Sequence, residues 1–343
     1  MEEASLNNQM AKIRNFEKGF MATHLINVGA KVGIFERLNG IKEGLIVSDL
    51  ANMLRIHEPY LKIWCQTAYH FGILDCDEQG RFKLQPFLDE ILGDKTHFRN
   101  YLANIALDVD FIGKAMVEAP ESLQTGKQWK ATNEAEVSKA SYETTKNIYL
   151  AFLFTTFPKN EHLRKLLDRG IKFLDIGCGN GTLIIQFAQA FERSKFVGVN
   201  PDFHGIEAAK AKISDLGLKD RVSVEHMGAE DLPYNEEFDI ACMVVTLHVM
   251  LPEVREKAVK KVLRALKTGG YLLILDYPYP GKLEDFRNPI YDYGILGQFY
   301  EMVIGTVHLS KDEQNEILTG AGFKNIQRMP IGKGMFDFIT ATK

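Results

Sequence analysis

The sequence predicts two folds in tandem: a mainly helical, winged-helix-like domain over residues 1–95, and from residue 166 an α/β domain on a mainly parallel sheet. Three observations carry that prediction. At 343 residues the chain is longer than one ordinary domain. Its C-terminal half alternates short apolar strands with segments of helical period, the pattern of a sheet covered by helices on both faces. One strand, Phe173–Ile176, runs into three alternating glycines and then a helix.

The elements follow in order. Leu25, Val28, Val32, Ile34, Phe35 and Leu38 recur at helical spacing and predict a helix over Phe20–Leu38, ended by Gly40. Ser48 is placed to cap a short helix over Asp49–Leu54, and after a turn at Arg55–His57 a third helix carries Tyr60, Leu61, Trp64, Ala68 and Phe71. Ile73–Cys76 and Arg81–Leu84 flank the polar turn Asp77–Gly80, a hairpin signal. Residues 96–165 read as a helical connector and pocket wall, with Glu118–Gly126 as its loop. Strands are expected at Lys172–Ile176, Lys195–Val199, Val222–His226, Phe238–Val244, Tyr271–Leu275 and Phe336–Thr342. Helices are expected between them at Thr182–Phe191, His204–Leu216, Pro252–Leu266 and Ser310–Ala321.

Composition excludes several classes of function. With 45% hydrophobic and 25% charged residues the chain is globular and not disordered. Lys and Arg number 41 against 45 Asp and Glu, so no global field draws it to nucleic acid. The predicted third helix, with Lys62 as its basic residue, is dominated by apolar and aromatic side chains and is a poor reader of a major groove. The Met10, Ile13, Phe16, Phe20 and Met21 series instead offers apolar surface for a second copy, predicting a homodimer through this domain. Cys65, Cys76, Cys178 and Cys242 are widely spaced, which fits a reducing cytoplasm and neither a disulfide framework nor a zinc cluster. The first residues are acidic and polar, unlike a signal peptide. The longest apolar stretch, Ile240–Leu251, is about half the ~20 residues of a membrane span and carries His248, so it reads as a buried strand entering a turn.

The sharpest motif is Phe173-Leu-Asp-Ile-Gly-Cys-Gly-Asn-Gly-Thr-Leu183. Glycine permits tight backbone angles and lets main-chain N–H groups approach a ligand at a helix N-terminus. The spacing is GxGxG, with Asp175 two positions before the first glycine, so a carboxylate meets a cofactor with a cationic amino group and not a pyrophosphate. At these residues the chain resembles the class I S-adenosylmethionine-dependent methyltransferases. Phe238-Asp239, Arg264–Ile274 with its Thr-Gly-Gly turn, and Ala321-Gly-Phe323 extend the resemblance over residues 165 to 343. It implies a Rossmann-like seven-stranded methyltransferase domain with S-adenosyl-L-methionine as cofactor. Asp175, Gly177, Gly179 and Gly181 would then hold the methionine end, and Asn200 with Pro201 the ribose. Ala229 and Glu230 would lie near the adenine, and Thr246 beside the cofactor after the fourth strand. Asn200 stands where the family has an acid, and Gly228 stands where it often has another.

The whole layout resembles dimeric small-molecule O-methyltransferases, which use a winged-helix-like domain to dimerise. Their Leu-His-Asp-Trp run corresponds to Thr246-Leu-His-Val-Met here, which implies His248 as general base toward an acceptor hydroxyl. Thiol or thioether acceptors are the alternative, because they are already nucleophilic. A ligand-sensing regulator is a further one. C-methylation could use His248 with His308 as metal ligands, but no carboxylate partner is evident and no metal is expected. His204 and His226 read as surface or helix-start residues. From the aromatic segment 276–307, Tyr291, Tyr293, Phe299 and Met302 are the substrate candidates, while Arg287 reads as a surface side chain.

Overall fold

The computed structural model describes residues 5–130, 134–157 and 160–343. The chain forms two compact units, Met1–Lys114 and Ala115–Lys343, so the segment 96–165 set apart in the sequence is divided between them.

In the first unit, α1 (Leu6–Lys31) starts at Ser5, whose hydroxyl accepts from Asn8 N at 3.2 Å. The helix expected over Phe20–Leu38 is two: Gly33, at φ 79°, separates α1 from α2 (Ile34–Leu38). Val28 and Val32 consequently face outward. α3 (Val47–Leu54) begins two residues earlier than expected, so Ser48 lies inside it and Ile46 is the cap. A left-handed Arg55 leads to α4 (Glu58–His70), then β1 (Leu74–Cys76) and β2 (Phe82–Leu84) pair antiparallel. Asp77 closes that hairpin by accepting from Gln79 N and Arg81 N, each at 2.9 Å. Helix, turn, helix and hairpin thus occur in the expected order. Phe35, Leu50, Leu61, Trp64 and Leu74 form the core, and α5 (Leu102–Leu107) adds Leu102. Along α1, by contrast, Leu6, Met10, Ile13, Phe16 and Phe20 form an exposed stripe, with Phe16 61% and Phe20 62% exposed.

α6 (Gly113–Val117) crosses the division between the units. The expected loop Glu118–Gly126 is a helix, α7 (Ala119–Thr125). Pro120 sits in its first turn and Gly126 ends it at φ 71°, so the residues that suggested a loop are its start and stop signals. α8 (Glu134–Ala151) and α9 (Glu161–Arg169) lead into the sheet. There β3 (Lys172–Ile176), α10 (Thr182–Ala190), β4 (Lys195–Asn200), α11 (Phe203–Asp215), β5 (Val222–His226), β6 (Phe238–Val244), α12 (Pro252–Ala265) and β7 (Leu266–Asp276) alternate. α13 (Asp292–Glu301), α14 (Lys311–Ala321), β8 (Lys324–Ile331) and β9 (Phe336–Thr342) complete it.

The seven strands lie in the order β5-β4-β3-β6-β7-β9-β8, with β3 to β7 parallel and β9 antiparallel to both its neighbours. β8 is the strand for which no range was expected. It lies on the edge, mostly exposed, and carries Lys324, Arg328 and Pro330, residues that discourage further pairing and hide a strand from an apolar pattern. Alternate residues face two cores: Phe173, Phe187 and Phe196 on one side, Leu174, Val259, Val262 and Leu272 on the other. The central strands are therefore apolar on both faces, and at their carboxyl ends lie the buried polar residues Asp175, Thr246 and Asp276. Among the described residues no helix is long and apolar enough to cross a membrane.

Candidate functional site

Asp175 lies on β3 at 3% exposure, and burial pushes its carboxyl up to about 7. The loop above it turns on Gly177, Gly179 and Gly181, all at positive φ. A Cβ on Gly177 would stand 2.5 Å from the Thr246 side chain, and one on Gly179 would stand 2.8 Å from the Tyr142 ring. α10 starts directly after Gly181 with no side chain capping its first N–H groups. A buried carboxylate under a loop stripped of side chains, beside an uncapped helix N-terminus, fits an amino acid's ammonium and carboxylate. Gly177→Ala combines strained φ with a clash, so it is expected to cost about 1–3 kcal/mol. Its melting temperature should fall by several degrees in a thermal scan. An unchanged value would mean that the loop does not pack on Thr246.

α8 closes over this loop. The hydroxyls of Ser138 and Tyr142 both reach the Asp202 carboxylate, Ser138 Oγ at 2.5 Å, and Gly205 leaves the room that the Tyr142 hydroxyl occupies. Burial raises the Asp202 pKa, but these bonds and backbone N–H donors outweigh it and hold the carboxyl below its usual range. Sequence reading missed all three residues; the available signal was an acid just past the end of the second strand of the sheet.

Asn200 ends β4, and its Oδ1 accepts from Asp202 N at 2.9 Å, so its carbonyl is engaged in a local turn. Pro201 O meets His226 Nε2 at 2.8 Å. Ala229, 5% exposed, opens a short turn after Gly228. Glu230 folds back there: a Cβ on Gly228 would stand 2.4 Å from both its carboxylate oxygens. Glu230 therefore fills the space of the side chain that Gly228 lacks, whereas Asp231 pairs outward with Lys257 at 3.3 Å.

Beyond β6 the backbone turns sharply. Val245 has φ 47°, a strained value for a β-branched residue, and its N–H donates to Leu275 O at 2.7 Å. That turn aims Thr246 at the glycine loop and buries His248 to 5% exposure beside Asp276, the last residue of β7, which is fully buried. His248 Nδ1 bonds Asp276 Oδ1, and its backbone N–H donates to Oδ2 at 3.2 Å. Burial would lower the His248 pKa, but Asp276 and then Glu301 outweigh it and hold the ring above its ordinary value. Glu301 Oε1 lies 3.7 Å from His248 Nε2, and Glu301 Oε2 lies 2.8 Å from His308 Nε2. Arg255 braces both histidine loops by donating to the carbonyls of His248, Met250 and Val307 at 3.2, 2.6 and 2.8 Å. Asp276 and Glu301 were not singled out in the sequence, although an acid ending a central strand was a usable signal.

The substrate candidates scatter. Tyr293 stacks on Tyr277, which in turn meets the His248 ring edge-on at 5.5 Å between centroids. Tyr291 lines a small cavity of about 120 Å³ with Pro278 and Tyr279. Phe299 is 57% exposed, and Met302 packs against Ala115, Ala119 and Val303. Arg287 is exposed as expected. A larger cleft of about 420 Å³ is lined by Ile148, Phe152, Leu275, Ile331, Met335 and Phe336, and Tyr277 joins Phe336 to His248. Its lining comes from α8, the turn after it and the β8–β9 connection, which no sequence motif marks.

The strand order, the glycine loop over a buried acid and the uncapped helix behind it make a Rossmann-like methyltransferase fold. Residues 173–270 match the family model described as a methyltransferase domain. An uncharacterized protein of Haemophilus influenzae is 29% identical over 161 residues, 45% of this chain and 59% of its own length. The ubiquinone/menaquinone biosynthesis C-methyltransferase UbiE of Haemophilus ducreyi is 25% identical over 183 residues, 49% of this chain and 70% of that protein. Human N-acetylserotonin methyltransferase in complex with S-adenosylmethionine superposes with a TM-score of 0.77 at 14% identity, over 100% of this chain and 99% of that one. An O-methyltransferase family protein from Burkholderia thailandensis gives 0.74 at 14% identity over 99% of each chain. At those identities the likeness establishes a shared fold along the whole chain.

Proposed function

We propose that the protein transfers a methyl group from S-adenosylmethionine to the hydroxyl of a small, largely apolar metabolite, with His248 as general base. The cofactor supplies an electrophilic methyl on a sulfonium. Asp175 binds its ammonium, the uncapped N-terminus of α10 receives its carboxylate, and Gly177, Gly179 and Gly181 admit it to the loop. Asn200 and Pro201 border the ribose, while Ala229 N–H and Glu230 meet the adenine. Thr246 packs beneath the loop.

The buried His248–Asp276 pair carries this reading. With Nδ1–H donated to Asp276, the lone pair sits on Nε2, where it can take a proton from an acceptor hydroxyl. Thiolate or thioether acceptors need no such base, so the pair favours oxygen. The cleft beside Tyr277 suits an apolar acceptor, and the hydroxyl-bearing end would reach past that ring to His248. Methyl transfer from labelled cofactor to a panel of phenols, alcohols, thiols and thioethers tests the reading. Transfer confined to sulfur acceptors would overturn it.

The exposed stripe of α1 supports a homodimer through the first unit. Phe16→Glu is expected to halve the mass read by light scattering at micromolar concentration, and a wild-type monomer would refute the dimer. A reducing cytoplasm suits the buried thiols, of which Cys65 is pushed up to about 12 by burial and is thereby inert.

A further inference from the structure

His248, Glu301 and His308 offer one ligand atom each, and those atoms lie within 4.8 Å of one another. The two histidines are buried, and the Glu301 side chain is 14% exposed. Two nitrogens and a carboxylate oxygen around an ion bonded at about 2.0–2.1 Å would be roughly 3.3 Å apart in a tetrahedral site, so the trio needs to close by about 1.5 Å at most. Sequence distance hid the set: His248 and His308 are far apart in the chain, and their carboxylate comes from α13, which the lid segment folds back between them.

Three further features prepare the trio for an ion. Asp276 holds His248 Nδ1, the carboxylate behind a ligating histidine that orients Nε2 forward. Arg255 ties the two histidine loops together through their backbone carbonyls, so the ligands are fixed before any ion arrives. His308 Nδ1 is buried without a hydrogen-bond partner, an imidazole nitrogen that protein groups leave unused.

We propose that His248, Glu301 and His308 bind one divalent first-row transition-metal ion of the zinc, cobalt or iron(II) class, with Asp276 as the outer carboxylate. Two imidazoles and a carboxylate are the ligand set of such ions, and magnesium or calcium would demand more oxygen. The site goes beyond the methyl-transfer reading, because the ion binds whatever the acceptor is. Its consequence for that reading is specific: the ion occupies the Nε2 lone pair on which the base depends, so the ion-loaded protein has no general base at His248.

Untagged protein stripped with chelator and titrated with Co²⁺ tests the proposal. The expected result is one Co²⁺ per chain with the visible bands of low-symmetry nitrogen and oxygen ligation, displaced by Zn²⁺. His308→Ala and Glu301→Gln should each weaken binding at least ~10-fold, and Asp276→Asn about 10–100-fold, while His204→Ala changes nothing. S-adenosylhomocysteine binding, measured on the same samples, reports that each variant is folded and stands or falls independently of the ion. No uptake by the wild type, or uptake equally strong in His308→Ala, would overturn the site.

Discussion

Asp175→Ala is expected to abolish binding of S-adenosylmethionine and S-adenosylhomocysteine in a calorimetric titration, a loss of at least ~100-fold, while the protein stays folded. A buried carboxylate opposite an ammonium is worth several kcal/mol only because water is excluded from both. The same burial sets the pH dependence. With its carboxyl pushed up to about 7 in the free protein, Asp175 is half protonated near neutrality, so cofactor affinity should rise from pH 6 to pH 8 and level off above. Stability of the free protein runs the opposite way. A carboxyl whose pKa is raised from 3.8 by folding contributes nothing adverse below that value, and the folded state is progressively penalised as pH climbs through 7. Asp175→Asn removes the penalty, up to ~4 kcal/mol at pH 8, and should raise the melting temperature there while binding no cofactor. Unchanged affinity in either variant would mean that Asp175 does not face the amino group.

His248→Gln, assayed with chelator present, is expected to lower kcat by roughly 10²–10⁴-fold with cofactor affinity unchanged within about twofold. Glutamine keeps a polar group of similar reach but cannot take the proton. Asp276→Asn should produce a smaller fall, because the imidazole remains and loses its orienting carboxylate. Full activity in His248→Gln would remove the base from the mechanism and return thiol and thioether acceptors to first place. Loss of cofactor binding in the same variant would instead mark His248 as part of the loop's support.

Much of the fold was legible because it is written in local patterns. The strands Lys172–Ile176, Val222–His226, Phe238–Val244 and Phe336–Thr342 coincide with their apolar runs residue for residue. Asp175 and the glycines announced themselves because a ligand-binding loop concentrates its requirements in consecutive residues. The failures were equally physical. Pro120 and Gly126 read as loop residues in the sequence, although the same pair serves a helix as its first turn and its stop. β8 escaped because it lies at the sheet edge, mostly exposed, and carries no apolar run. Phe299 and Met302 were substrate candidates because the resemblance makes this aromatic segment a pocket roof; Phe299 is 57% exposed, and Met302 packs with Ala115, Ala119 and Val303.

From the residues alone came the class of the fold, the nature of the cofactor loop and the position of His248, each a property of a short stretch of chain. Tertiary structure decided what surrounds them. Asp276, Glu301 and His308 join His248 from the end of β7, from α13 and from the segment after it, and Tyr142 and Ser138 reach Asp202 from α8. Such partners share no period and no spacing, because they meet where the carboxyl ends of parallel strands leave an open edge that distant segments fold back to cover. The His248–Asp276 pair, the cluster of His248, Glu301 and His308 and the apolar cleft beside Tyr277 all depend on that long-range closure.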